Sequence, residues 1–91
     1  MDYAKQESKQ NFLLKDVPAT ATSAMVVNLP AIQHNYSLTQ AYIKDGCQIA
    51  AVVKANCYGL GMSQVAQVLY AQGCRVFCVA FIEEGVKLRQ V

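Results

Sequence analysis

A chain of 91 residues has room for at most one small domain. At 54% hydrophobic and 15% charged it is more apolar than a free-standing domain of this size should be, so the composition points to an interior-rich piece of something larger. The net charge of +2 is too small to argue for nucleic acid or an anionic membrane, and no apolar run approaches the roughly 18–20 residues that span a bilayer.

Residues 1–20 form a polar leader without periodicity or the apolar core of a secretory signal. They are expected to be extended or disordered, with the domain proper over 21–91 and the chain in the cytoplasm. A short strand is expected from Met25 to Leu29, after which Asn28 can N-cap a helix that tolerates Pro30 in its first turn. Ile32, Tyr36, Thr39 and Ile43 recur at helical spacing, predicting an amphipathic helix over about 30–45 closed by Gly46. His34 and Asn35 fall on this helix and are read as polar residues of a solvated face.

Ile49 to Val53 is an unbroken apolar run, too short for a helix, and reads as a strand buried on both faces. At its end stands Lys54, which a buried strand would ordinarily exclude. Asn56, Tyr58, Gly59 and Gly61 follow, residues that tolerate left-handed backbone or let a chain approach something closely. A lysine at the carboxyl end of a parallel strand, facing a glycine-bearing loop, sits where α/β folds place their chemistry. Gly59 and Gly61 make only a fragment of a dinucleotide fingerprint, since Gln64 stands where the third glycine belongs, and no Gly-Lys-Ser/Thr sequence is present.

Met62, Val65, Ala66 and Leu69 make a second helical stripe ended by Gly73. Arg75 to Phe81 is a further apolar strand, and Ile82 to Val91 a last helix. Glu83 and Glu84 lie in its first turn, where the helix dipole favours anions, and are read as a solvated face. Cys47, Cys57, Cys74 and Cys78 match no Cys-x-x-Cys spacing and His34 is remote from them, which favours buried free thiols over a disulfide or a metal site. The order is β-α-β-α-β-α, with parallel strands and right-handed connections. Both an open doubly wound sheet and a (β/α)8 barrel begin this way.

The string Ala51-Val52-Val53-Lys54-Ala55-Asn56-Cys57-Tyr58-Gly59-Leu60-Gly61 resembles the pyridoxal-phosphate attachment site of the alanine racemases, A-V-V-K-A-N-A-Y-G-H-G. Cys57 replaces the usual Ala, and Leu60 a frequent His. Asn28 to Asn35 resembles the family segment D-L-D-A-I-x-x-N. Gly73 to Arg89 resembles G-A-x-x-x-A-V-A-x-x-E-E-A-x-x-L-R, so the likeness covers about residues 24–91. Val26 departs from the family, standing where an acidic residue is usual.

The resemblance implies an α/β chain made of the first three βα units of a (β/α)8 TIM-type barrel, incomplete here because a whole barrel takes roughly 250 residues. It implies interconversion of L- and D-alanine, with D-alanine supplied for peptidoglycan. Lys54 would form a Schiff base with pyridoxal 5'-phosphate, burial disfavouring the charged amine. The cofactor ring would serve as electron sink, and the freed lysine would move a proton on one face of the substrate α-carbon. Tyr58 matches the family tyrosine that hydrogen-bonds the cofactor phosphate.

The implied partners are a small amino acid and, for a full-length form, a second copy in a homodimer; nucleic acid, membrane and metal are not implied. The family's opposite-face tyrosine and its arginines for cofactor ring and substrate carboxylate have no match within these residues. The 91-residue chain is therefore expected to be a fragment, poorly folded or insoluble and not a competent racemase. Two other readings stand beside this one: a non-catalytic pyridoxal-phosphate-binding barrel protein, and the inactive remnant of a disrupted reading frame. Alanine and another small amino acid such as serine are not distinguished as substrates.

Overall fold

The two strongest apolar runs pair directly. β1 (Ala50–Val52) and β2 (Val76–Cys78) lie parallel, with Ala50 opposite Val76, Ala51 opposite Phe77 and Val52 opposite Cys78. The pairing continues one step further, where the Val53 N–H donates to the Cys78 carbonyl at 2.9 Å. The computed structural model describes residues 17–91, and in that span the helices are α1 (Leu29–Tyr42), α2 (Met62–Ala71) and α3 (Ile82–Arg89). The leader expected over residues 1–20 lies outside the described residues up to residue 16. No described helix is long and apolar enough to cross a membrane, and the described residues form no cluster of metal-ligating side chains.

α2 supplies the cover for the sheet. Its whole apolar stripe, Met62, Val65, Ala66 and Leu69, is buried, as the i, i+3, i+4, i+7 spacing predicts. Tyr36 of α1, Val53, Cys57 and Cys74 complete the core, with Ile49, Ala51, Phe77, Val79 and Leu88 packed against it. α2 ends in a Schellman motif. Gly73, at φ +111°, donates to the Tyr70 carbonyl at 3.0 Å, and the Cys74 N–H reaches the Leu69 carbonyl at 2.9 Å. That turn also places Cys74 in the core, 1% exposed.

Several expectations are corrected. Met25 to Leu29 does not form a ladder strand: Met25 and Val26 are exposed, the chain pairs with neither strand, and Leu29 already begins α1. The Asn28 cap decides this, because its Oδ1 accepts the Ala31 N–H at 3.1 Å and starts the helix before a strand could form. Nor does Gly46 cap α1. The helix stops at Tyr42 with Ile43 extended, so that half-buried Ile43 returns toward the core. Gly46, at φ +86°, serves instead in the turn closed by the Cys47 N–H on the Lys44 carbonyl at 3.0 Å. Of the expected α1 stripe only Tyr36 is fully buried; Thr39 is exposed and spends its hydroxyl on the Asn35 carbonyl at 2.9 Å. His34 and Asn35 are exposed, as expected.

The strands are not buried on both faces. Ala51, Val53, Phe77 and Val79 turn toward the helices, while Ala50, Val52, Val76 and Cys78 face away and are exposed. A parallel pair with helices on one side covers one set of alternating side chains only. The cysteines are all free, but only Cys57 and Cys74 are buried; Cys47 and Cys78 are exposed.

Candidate active site

β1 ends just before the lysine. Ala50 and Val52 lie on the open face and Val53 points into the core at 1% exposure, but Val53, at φ −122° and ψ 21°, already leaves the extended backbone, so Lys54 opens the turn that follows. The lysine is exposed, so the burial expected for it is not supplied by the described residues. Its position at the carboxyl end of a parallel strand is as expected.

The segment Lys54–Tyr58 takes an unusual path. Ala55, Asn56, Cys57 and Tyr58 all have φ between +52° and +55°, a turn of left-handed helix built from residues with side chains. Each such residue costs roughly 1–2 kcal/mol relative to right-handed backbone, with Asn the least penalised. Sequence reasoning points to such backbone at Asn56, Tyr58 and the glycines, but not at Ala55 or Cys57.

The surroundings hold the strained turn in place. The Cys57 N–H donates to the Val53 carbonyl at 2.9 Å, the Gly59 N–H to Ala55 at 3.1 Å and the Gly61 N–H to Asn56 at 2.9 Å. Asn56 also accepts the Met62 N–H on its Oδ1 at 2.9 Å, so it joins the turn to the first residue of α2. Gly59 and Gly61, at φ +88° and +101°, carry the chain out of the turn. A Cβ on Gly61 would also meet the Gln64 Oε1 at 2.8 Å.

Cys57 points inward, 6% exposed, and burial pushes its thiol pKa up, which makes it a packing residue and not a nucleophile. Tyr58, at the far end of the turn from Lys54, is 63% exposed with its phenol free to meet a ligand. Leu60 is also exposed and lines a shallow recess with Met25, Val27, Asn56 and Gln64.

One contributor escapes the sequence reading. Glu84 is not simply part of a solvated helix face. Its Oε1 accepts the Ala80 and Phe81 N–H groups at 2.9 and 3.0 Å, and its Oε2 accepts the Ala55 N–H at 2.6 Å. These donors hold the carboxyl below the ordinary glutamate range, the Ala80 N–H foremost, against the opposing effect of burial. The signal that could have found half of this is a Glu at the third helical position, which habitually reaches back to the N-cap amide. Its contact with Ala55, 29 residues away in sequence, has no local signature.

The geometry has counterparts of known kind. Residues 27–91 match the family described as "Alanine racemase, N-terminal domain". The chain belongs to the alanine racemase family. It is similar to the alanine racemase of Rickettsia prowazekii, 49% identical over 65 residues, which are 71% of this chain and 16% of that protein. The alanine racemase of Citrifermentans bemidjiense is 46% identical over 63 residues, 69% of this chain and 17% of the relative. Among solved structures, the alanine racemase of Bartonella henselae with covalently bound pyridoxal phosphate superposes with a TM-score of 0.68 at 43% identity, over 71% of this chain and 18% of that one. The chain thus spans less than a fifth of the length of these racemases. The match lies inside the span of about 24–91 over which the sequence resembles the family.

Proposed function

We propose that Lys54 is the attachment point for pyridoxal 5'-phosphate and that the complete protein interconverts L- and D-alanine. The observation carrying this reading is the placement of Lys54: exposed, at the carboxyl end of β1, inside the segment matched to the racemase family. The residues fit such a cofactor. An accessible primary amine is the nucleophile an aldehyde requires, and the exposed Tyr58 phenol, one left-handed turn further on, is a donor for a phosphate. The solved Bartonella henselae relative holds its pyridoxal phosphate covalently.

When bound, the cofactor supplies an electron sink for negative charge at the substrate α-carbon. Lys54, released from the cofactor by the substrate amine, then holds and moves a proton on one face of that carbon. Tyr58 orients the phosphate end. The rest of the assignment follows the family: a place at the opening of a (β/α)8 barrel, a cytoplasmic homodimer, and D-alanine delivered to peptidoglycan.

Borohydride reduction in the presence of pyridoxal phosphate, followed by peptide mapping, tests the attachment. The expected product is a reduced adduct on Lys54, and its absence would overturn the reading. Exchange of the alanine α-proton into deuterated water then separates a racemase from a protein that only carries the cofactor. Racemisation requires protons on both faces of the carbon and Lys54 serves one, so the 91-residue chain by itself is expected to show no appreciable turnover.

A further inference from the structure

We propose that Glu84 is a positioning residue for Lys54, its carboxylate tying the first amide of the left-handed turn to the start of α3. The inference rests on the reading of Lys54 as the cofactor-bearing residue. The Ala55 N–H is the amide immediately after that lysine, and its acceptor is the Glu84 Oε2 at 2.6 Å. The hydrogen bonds at Cys57, Gly59 and Gly61 hold the later part of the turn and leave this amide to a partner from elsewhere in the fold.

Glu84 is itself immobilised, since its Oε1 takes the Ala80 and Phe81 N–H groups. One oxygen therefore anchors the carboxylate where the chain leaves β2, and the other fixes the backbone where it leaves β1. The two strand ends are already in register through the Val53 N–H and the Cys78 carbonyl. Without the bridge, four residues in left-handed backbone lose the contact at their leading end, and the lysine they follow loses its fixed direction.

The substitution Glu84→Gln separates the two jobs. The amide oxygen can still accept from Ala80 and Phe81, but the group then facing Ala55 is an NH2, donor against donor. Amide hydrogen exchange in the full 91-residue chain should quicken about tenfold at Ala55, the equivalent of one hydrogen bond, and stay within about threefold at Ala80 and Phe81. In borohydride trapping, the preference for Lys54 over Lys44 and Lys87 should be lost. Glu83→Gln, next door and exposed, should change neither readout.

The same pair of variants, made in a chimera carrying residues 27–91 within the Bartonella henselae racemase, gives both readouts should the short chain not hold its fold. Unchanged protection at Ala55 in Glu84→Gln, or lost protection with the Lys54 preference intact, overturns the proposal. No Lys54 preference in the unsubstituted protein overturns the cofactor reading instead, and the two failures are told apart by that control.

Discussion

At the scale of single residues, the candidate site sets an exposed lysine beside a turn that its neighbours hold in place. Lys54 is exposed where the chain leaves β1, and Cys57 is buried within the left-handed turn that follows. Thiol alkylation at neutral pH should therefore modify Cys47 and Cys78 first and Cys57 and Cys74 last, a sequence that mass mapping of partial reactions would reveal; early labelling of Cys57 would contradict its burial. Glu84 makes a pH prediction. Its folded-state pKa is depressed, chiefly by the Ala80 N–H and also by those of Phe81, Ala55 and Asn56. A carboxyl lowered on folding contributes stability that is complete above the ordinary glutamate range and lost as pH falls through the lower folded-state value. The urea midpoint should fall on that acid side, and Glu84→Gln should flatten this part of the profile.

At the scale of elements, stability is concentrated in α2 and the turns at its ends. Leu69→Ala removes a buried side chain from the centre of the core and should cost about 2–5 kcal/mol, read as a lower urea midpoint. Gly73→Ala creates no clash, since nothing lies within 4 Å of its Cβ position, yet it forces a side chain to φ +111°. It should destabilise by about 1 kcal/mol or more through backbone strain alone. These features were legible because each is local: the stripe of α2 repeats at helical spacing, the Asn28 cap stands three residues before its donor, and Gly73 punctuates a helix end. What was not legible depends on partners. Met25 to Leu29 has the composition of a strand, but a strand needs a neighbouring edge, and the capping side chain of Asn28 claims the chain first. Ala55 and Cys57 carry no left-handed preference of their own. They adopt it because bonds from Glu84, from α2 and from the Val53 carbonyl leave the turn no cheaper path.

For the whole molecule, the decisive property is that the sheet has one covered face and one open face. Val52 and Val76 are 46% and 38% exposed, side by side with Ala50 and Cys78 on the open face. In a closed barrel such inward-facing positions are filled by layers of side chains from alternate strands, and short aliphatic residues suit that interior better than water. The same alternation that turns Ala51 and Phe77 toward the helices therefore also leaves an apolar surface open, together with outer edges that no other described strand adjoins. The 91-residue chain should self-associate at micromolar concentration, and sedimentation velocity should show it. Replacing Val52 and Val76 together by Lys should shift the distribution toward monomer and leave the helical circular dichroism intact, since neither side chain belongs to the core. Loss of helix with that double change would mean that the open face already supports the fold. An unchanged sedimentation profile would mean that association uses another surface.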